Sequence, residues 1–221
     1  MSRRSSAPLA GTFVVVEGID GAGTTTQIER YAAYLRGINR RVHVTREPCT
    51  GPVGSFIRDV LTLRRNLLST PSYDLMALMF AADRLDHVRG EVEPALRDGA
   101  VVLSDRYDLS SLAYQSVASD SGLPAHEIVA WIRSLNRFAR RPDVTLVVDV
   151  SPDVAARRRQ SRGLPEDLYE KEALQARLAK AYAHAEVLVP DDRVVHVRGD
   201  ADIETVAVLV REALAPFVEP A

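Results

Sequence analysis

The sequence predicts an α/β fold in which a five-stranded parallel sheet is covered by helices on both faces. Five short segments of mostly apolar, β-branched residues alternate with longer segments whose apolar residues recur at helical spacing. The short segments are apolar without alternation, which is typical of strands buried between two layers of helices. A chain of 221 residues fits one such domain with a large core.

The predicted strands are these short apolar segments, at residues 12–17, 41–45, 101–104, 144–150 and 194–197. Right-handed crossover connections place the carboxyl ends of such strands, with the loops that follow them, along one edge of the sheet. Ligands of open parallel sheets bind at that edge. We therefore expect the functional residues in the loops that follow the strands.

Helices are predicted between the strands wherever apolar residues lie three and four positions apart, at residues 24–36, 53–63, 71–97, 109–119, 124–139, 153–160, 169–187 and 203–215. The third is unusually long. Thr70 is its predicted N-cap, Pro71 its first residue, and Pro94 is expected to kink or restart it. The predicted inward face of this helix is apolar and consists of Leu75, Leu78, Met79, Ala82 and Leu85.

Composition excludes several classes of protein. The sequence is 46% hydrophobic and 26% charged, as in ordinary globular proteins, and its net charge of −2 gives no basic field for nucleic acid or membranes. Cys49 is the single cysteine, so no internal disulfide can form, which fits the cytoplasm. Residues 1–10 lack the apolar stretch of a signal peptide and are expected to be a disordered tail before one domain at 11–221. No apolar run reaches the ~20 residues of a membrane span.

A glycine-rich turn follows the first predicted strand and nearly matches the phosphate-binding loop G-x-x-x-x-G-K-[ST]. Gly18 and Gly23 stand at the two glycine positions and Thr25 at the hydroxyl that binds Mg²⁺, but Thr24 stands where lysine is expected. The free N–H groups at the start of the next helix favour phosphate binding there, and a purely structural turn is the alternative. The predicted phosphate-binding residues belong to this loop and the first helical turn, namely Gly18, Asp20, Gly21, Ala22, Gly23, Thr24, Thr25 and Thr26.

Two further groups of residues suggest nucleotide chemistry. Asp105 and Arg106 follow the third strand directly and suggest contacts to Mg²⁺ and phosphate, although a surface ion pair would look the same. Phe80 and Arg84 are four residues apart on one helix face and could stack and hydrogen-bond a base. Without other context, burial in the core is the favoured interpretation of Phe80.

Several stretches resemble thymidylate kinases, a family of P-loop nucleoside monophosphate kinases. They occur in that family's order, at residues 16–23, 45–48, 80–84, 105–115 and 142–150. The combination of Asp105-Arg106-Tyr107 with the serine pair 110–111 and Tyr114-Gln115 is the most specific part. The resemblance implies a three-layer sandwich like that of P-loop NTPases, transfer of the ATP γ-phosphate to dTMP with Mg²⁺, and a homodimer.

For the acceptor base and sugar, the resemblance implies that Phe80 stacks on thymine and Arg84 hydrogen-bonds its carbonyl edge. Ser111 or Gln115 would contact the base from the other side. Tyr114 would crowd the sugar C2′ and favour deoxyribose.

For the phosphates, the resemblance implies that Arg58 and Arg106 bind the phosphate group of dTMP. It places Asp20 near the sugar 3′-hydroxyl, Asp105 with Thr25 at Mg²⁺, and Glu47 near substrate or metal.

A lid is implied at about residues 158–170. Its arginines Arg158 and Arg162 are expected to be catalytic together with Arg106 and Asp20, and Tyr169 is expected near the nucleotide. Residues 199–201 resemble the loop around adenine. Without other context, such an arginine run is more often a solvated helix face than a site.

Two departures from the family pattern keep other functions open. Thr24 replaces the lysine of the loop, and Leu168 replaces a frequent arginine of the lid. A catalytically decayed nucleotide-binding protein is therefore one alternative. Another is a kinase for a different deoxynucleotide, or for a deoxynucleoside with Glu17 or Asp105 as the base.

Overall fold

The computed structural model describes residues 10–119, 121–161 and 172–218. Its five strands form one parallel sheet in the order β2-β3-β1-β4-β5, which confirms the predicted fold class. The strands are β1 Thr12–Glu17, β2 Val42–Arg46, β3 Val101–Asp105, β4 Val144–Asp149 and β5 Val194–Arg198. Each agrees with its prediction to within a residue at either end.

The helices surround this sheet in the predicted sequence order. They are α1 Thr24–Gly37, α2 Pro52–Leu61, α3 Tyr73–His87, α4 Glu93–Arg97, α5 Asp108–Ala118, α6 Ala125–Leu135, α7 Pro152–Gln160, α8 Glu172–Tyr182, α9 Ala185–Leu188 and α10 Ile203–Val218. Side chains of β1 alternate between two buried clusters, with Val14 and Val16 in one and Phe13 and Val15 in the other. Among the described helices, none is both long enough and apolar enough to cross a membrane.

Strand register brings the chemistry of three strands to one edge. Asp105 at the end of β3 pairs with Val16 of β1 on one side and with Arg46 of β2 on the other. The glycine-rich loop begins two residues after Val16. The loops after β1, β2 and β3 therefore meet where the sequence predicts the functional residues.

The long helix predicted at 71–97 differs from the prediction in two ways. It begins at Tyr73, so Thr70 is not its cap, and a π-helical turn at Val88–Val92 separates α3 from α4. Pro94 is the second residue of α4 and follows the π-turn directly, so the helix is irregular near this proline, as expected, but does not stop and restart there. The extra residue of the π-turn lets the chain pass the proline without a break.

The predicted inward face of α3 is wrong. Leu78 is 50% exposed, Ala82 is exposed, and the other three residues of that face are only half-buried. The fully buried face lies about one position further round the helix and consists of Met76, Ala77, Asp83, Arg84 and His87. Apolar periodicity misassigned the helix because its buried face is largely polar.

Smaller differences concern the ends of helices. α2 stops at Leu61, because Leu63 takes a left-handed backbone with φ 55°. The helix predicted at 124–139 ends at Leu135, and the one predicted at 169–187 appears as α8 and α9. All but the last residue of the predicted tail at 1–10, and most of the predicted lid at 158–170, lie outside the described residues.

Candidate active site

The loop between β1 and α1 has the backbone of an anion-binding site. Gly21 and Gly23 both have φ +93°, which is strained for any residue with a side chain. A Cβ on Gly21 would also lie 2.4 Å from the carbonyl oxygen of Ala155, so α7 packs directly on the loop. α1 begins at Thr24, immediately after Gly23. The unpaired N–H groups of its first turn and the helix dipole favour a phosphate here.

Thr25 and Asp105 fit the Mg²⁺ ion that this type of site requires. The Thr25 hydroxyl donates to Asp105 Oδ2 at 2.5 Å. The other carboxylate oxygen, Oδ1, is buried and has no hydrogen-bond partner among the described residues. The described residues contain no cluster of three or more His, Cys, Asp or Glu side chains suited to a metal. Two protein groups fit Mg²⁺, which takes its remaining ligands from water and substrate phosphates.

Thr24 brings no charge to the loop. Its side chain is nearly buried, at 8% exposure, and its methyl carbon lies 3.5 Å from where a Cβ on Gly18 would be. A guanidinium stands close by. Arg158 donates to the carbonyl of Ala22 at 3.2 Å, and also to the loop at residues 199–201 that the sequence associates with adenine. Arg158 therefore bridges the two loops predicted to hold ATP.

Asp20 of the glycine-rich loop is held by the turn after β3 and by three helices. Its Oδ1 accepts from Arg106 at 2.5 Å, and its Oδ2 accepts from the Tyr114 hydroxyl at 2.8 Å. Gln175 of α8 donates to the same Oδ2 at 2.9 Å and accepts from the Asp20 backbone N–H. Arg159 donates to the Asp20 carbonyl. This acid is thus oriented by α5, α7 and α8 together.

Arg106 stands in a strained backbone conformation, with φ 71°. Its backbone N–H bonds to the carbonyl of Val16, and its own carbonyl accepts from the Ser104 hydroxyl. Burial would lower the pKa of the guanidinium, but Tyr114, Asp20 and Glu17 outweigh burial and hold it well above the usual value. Such strain persists when the surroundings over-determine it, and it clusters at functional sites.

Glu17 secures the turn that carries Arg106. It is fully buried, and its carboxylate accepts from the backbone N–H groups of Tyr107 and Ser110 at 2.8 and 3.1 Å. The hydroxyls of Ser110 and Tyr182 donate to its other oxygen at 2.6 and 3.0 Å. Burial raises the pKa of Glu17 to about 7, although Arg106 and these hydrogen bonds oppose that rise. Glu17 thus caps α5 from β1, and both of its carboxylate oxygens are engaged in these hydrogen bonds.

Beside the loop, a cleft of about 600 Å³ contains most of the predicted acceptor residues. Its lining comes from the loops after β1, β2 and β3 and from α2, α3 and α5, and consists of Asp20, Glu47, Pro48, Leu61, Phe80, Arg84, Arg106, Tyr107, Ser110, Ser111, Tyr114 and Gln115. Phe80 is half-buried: it lines the cleft and also packs against a small apolar cluster of α2 and α3, so the favoured interpretation of full burial in the core is wrong. A cleft with an apolar wall and a few converging polar groups is typical of a small-molecule site.

Arg84 is buried at the floor of the cleft within a polar network. Its Nη2 lies 2.7 Å from Glu47 Oε2 and donates to the Ser111 hydroxyl at 3.1 Å. Its Nη1 donates to Asn136 Oδ1 at 2.6 Å, and its guanidinium lies over the Tyr107 ring. These contacts fix the direction of Arg84 before any ligand binds.

Three of the predicted site residues are not observed at the cleft. Arg58 is beside the cleft, with its guanidinium on the carbonyls of Pro48 and Cys49. It is not among the residues that line the cleft. Arg162 and Tyr169 lie outside the described residues.

The sequence missed several residues of the site. Pro48, Leu61, Tyr107 and Ser110 line the cleft, and α8 contributes Gln175 to Asp20. The serine pair after Asp105-Arg106-Tyr107 was a usable signal for Ser110. For Gln175 there was none, because its contact with Asp20 joins positions 155 residues apart.

Comparisons of the sequence with known proteins point to one family. Residues 16–208 match the family model described as thymidylate kinase. The chain is 37% identical over 196 residues to a probable thymidylate kinase of Thermococcus gammatolerans, covering 87% of this chain and 91% of the relative. A probable thymidylate kinase of Pyrococcus horikoshii is 35% identical over 211 residues, covering 93% and 99% respectively. One of Pyrobaculum calidifontis is 40% identical over 163 residues, covering 74% and 77%.

Proposed function

The chain belongs to the thymidylate kinase family and phosphorylates dTMP with ATP, and we propose that the residues around the cleft and the glycine-rich loop carry out this transfer. One observation carries the proposal. Arg106 lines the cleft and is paired with Asp20 of the phosphate loop, so a single side chain links the two compartments. A transfer between two bound nucleotides requires such adjacent sites.

On the acceptor side, we propose that thymine lies between the apolar wall with Phe80 and the buried guanidinium of Arg84. Ser111 and Gln115 border the same floor, and Tyr114 stands between the base end and Asp20. The 5′-phosphate would then lie at Arg106, with Arg58 as a second cation if it leaves the carbonyls that it now contacts.

On the donor side, the loop N–H groups would hold the ATP phosphates and Arg158 would lie over the nucleotide. Thr25 and Asp105 would hold Mg²⁺, which when bound neutralises charge on the phosphates. The lid at 158–170 stays a prediction.

The chemistry needs no general base. An anionic phosphate oxygen of dTMP attacks the γ-phosphorus of ATP, the bond from that phosphorus to the β,γ-bridging oxygen breaks, and ADP and dTDP result. Protein groups position the reactants and stabilise charge. Glu17 and Asp105, the candidate bases for a nucleoside acceptor, are engaged with the α5 turn and with Thr25. This favours a monophosphate acceptor.

We further propose a cytoplasmic homodimer. Leu78 on the apolar face of α3 is 50% exposed, and a second copy of the chain would cover it. The single cysteine, Cys49, is free and buried, as in proteins of reducing compartments. Sedimentation of the purified chain tests the dimer.

The test of the function is a coupled turnover assay with ATP, Mg²⁺ and dTMP. We expect formation of ADP and dTDP in equal amounts. Turnover with a deoxynucleoside but not with dTMP would favour a nucleoside kinase. Nucleotide binding without any turnover would favour a decayed enzyme.

A further inference from the structure

A buried histidine lies directly behind the acceptor cleft. His87, near the end of α3, has no exposed side-chain surface. Its Nδ1 lies 3.3 Å from Glu47 Oε1, and its Nε2 lies 2.7 Å from the Thr45 hydroxyl and 3.7 Å from Glu91 Oε2. A carboxylate accepts hydrogen bonds only, so Nδ1 donates to Glu47.

Glu47 is shared between this histidine and the arginine of the cleft. Its Oε1 faces His87, and its Oε2 lies 2.7 Å from Arg84 Nη2. Both carboxylate oxygens are thus directed at cationic side chains in a site closed to water. When one of two cations beside a buried carboxylate is lost, the carboxylate depends on the remaining cation alone for its counter-charge.

We propose that His87 is a positioning residue for the acceptor base: as an imidazolium it shares the Glu47 carboxylate with Arg84 and thereby leaves Arg84 free to donate to the base. This rests on the proposed dTMP site. When His87 is neutral, Arg84 becomes the main counter-charge of Glu47, and its N–H groups are drawn away from the nucleotide. Affinity for dTMP then falls, while the phosphate chemistry at Arg106 is untouched.

The charges around His87 favour the imidazolium. Glu47 approaches from the loop after β2, Asp83 from α3 and Glu91 from the π-turn, against Arg84 as the fixed cation. His43 of β2 contacts Glu91 at 2.8 Å. Burial lowers the pKa of His87, but its hydrogen bond to Glu47 and the three carboxylates outweigh burial and raise it above the usual value.

A proton from solvent can reach this histidine through Glu91. Glu91 is about one-third exposed and contacts both His87 and the partly exposed His43. A proton therefore has a short path between water and the buried imidazole, and His87 can equilibrate with bulk pH during turnover.

The first experiment measures the pH dependence of KM for dTMP together with the imidazole signals of the intact, ¹⁵N-labelled chain. We expect KM for dTMP to rise with pH at the same point at which the His87 signals lose their proton, above ~6.5. Neither kcat nor KM for ATP should follow that transition. A His87 imidazole that is neutral at ~pH 6, or a KM with no inflection at its titration, would overturn the proposal.

The second experiment uses His87→Asn, which keeps a neutral donor towards Glu47. We expect KM for dTMP to rise about tenfold, the scale of one weakened charge-assisted hydrogen bond, with kcat within about threefold and the pH dependence lost. The rise should be smaller for dCMP, which presents an amino group where thymine presents a carbonyl. His126→Asn, at an exposed position of α6, is the matched control and should change nothing.

Each failure has a separate meaning. An Asn variant with wild-type KM and pH dependence overturns the role of His87. If that variant does not fold, judged by circular dichroism, the wild-type titration alone decides. Absence of dTMP turnover in the wild type would instead contradict the proposed function.

Discussion

Arg106 Nη2 and Asp20 Oδ1 lie 2.5 Å apart, so the arginine of the acceptor cleft and the acid of the phosphate loop form one ion pair. Both side chains keep roughly a fifth to a quarter of their surface exposed, which leaves room for a ligand to compete for them. The strained backbone of Arg106 is anchored to β1 through Val16 and, one residue on, through Glu17. The pair is therefore pre-organised by the sheet rather than by flexible loops.

The first prediction concerns Arg106. Arg106→Ala should lower kcat/KM at least ~100-fold, because a charged donor at the transferring phosphates is lost. Arg106→Lys should restore little, since a single ammonium cannot reproduce a planar, bidentate contact. Backbone strain is similar in all three proteins, because each residue carries a Cβ. Steady-state kinetics with circular dichroism measures this.

Arg97→Ala is the matched control for Arg106. Arg97 is exposed on α4 and pairs only with Glu93 among the described residues. Its loss should leave kcat/KM unchanged. Near wild-type activity of the Arg106→Ala variant would reject the assignment of Arg106 to the phosphates.

Local sequence signals predicted the sheet and the loop because each depends on neighbouring residues, whereas the residues of the cleft were implied by the family resemblance. The five strands are marked by apolar runs, and the loop by the spacing of Gly18 and Gly23. Strand exits then bring Asp105 and Arg106 to the right edge of the sheet by topology alone. These parts required no knowledge of which distant residues touch.

Prediction from sequence failed where contacting residues are far apart in the chain, or where the buried face of a helix is polar. The buried face of α3 carries Asp83, Arg84 and His87, whereas an apolar rule turns Leu78 inward. Those polar groups are tolerated because Glu47 and Asn136 satisfy them from other elements. Periodicity in the sequence does not show which polar residues on different elements will contact each other. For the same reason it could not predict the contact of Gln175 with Asp20.

The second prediction concerns selectivity for the acceptor. The cleft offers one aromatic wall at Phe80 and one buried guanidinium at Arg84. We expect kcat/KM to be highest for dTMP and lower for dCMP, dGMP and UMP. Phe80→Ala should raise KM for dTMP about tenfold or more, the scale of one lost base–aromatic stack. A substrate panel with initial rates measures both effects.

Phe138→Ala controls for the general loss of an aromatic ring. Phe138 is 69% exposed and remote in sequence from the residues that line the cleft. Its removal should leave KM for dTMP unchanged. Similar kcat/KM values for dGMP and dTMP would refute the assigned pocket.

The third prediction concerns Glu17 and pH. Burial raises the pKa of Glu17 from 4.5 to about 7 in the folded protein. Between these two values the unfolded chain releases a proton that the folded chain retains, so this group makes stability fall as pH rises. Glu17→Gln cannot titrate, yet it can still accept from the α5 turn. Relative to the wild type, the variant should therefore gain up to about 3 kcal/mol between ~pH 4.5 and ~pH 8.

Urea denaturation of both proteins across that pH range measures the difference in their free energies of unfolding. The contributions of the other ionisable groups cancel in this difference. Glu29→Gln, at an exposed position of α1, provides a control that should show a much smaller change. A wild-type minus Glu17→Gln difference that stays constant with pH would mean that Glu17 titrates normally.

The last prediction concerns the threonine at the lysine position. Thr24 is uncharged and nearly buried, while Arg158 reaches the carbonyl of Ala22 from α7 and also contacts the loop after β5. We expect Arg158 to provide a cation that the loop itself lacks. Arg158→Ala should lower kcat by at least ~100-fold, the scale of one preorganised transition-state donor. Arg162→Ala is expected to have a comparable effect if both arginines share the role.

A double-mutant cycle with Thr24→Lys and Arg158→Ala tests whether the two positions serve one function. Thr24→Lys should be tolerated in the wild type and should partly rescue Arg158→Ala, because two cations that serve one function give non-additive effects. Arg157→Ala, exposed on the same helix, should leave kcat unchanged and controls for loss of charge alone. Strict additivity of Thr24→Lys and Arg158→Ala would show that the arginine acts elsewhere. If neither arginine variant lowers kcat, the cation comes from another part of the chain.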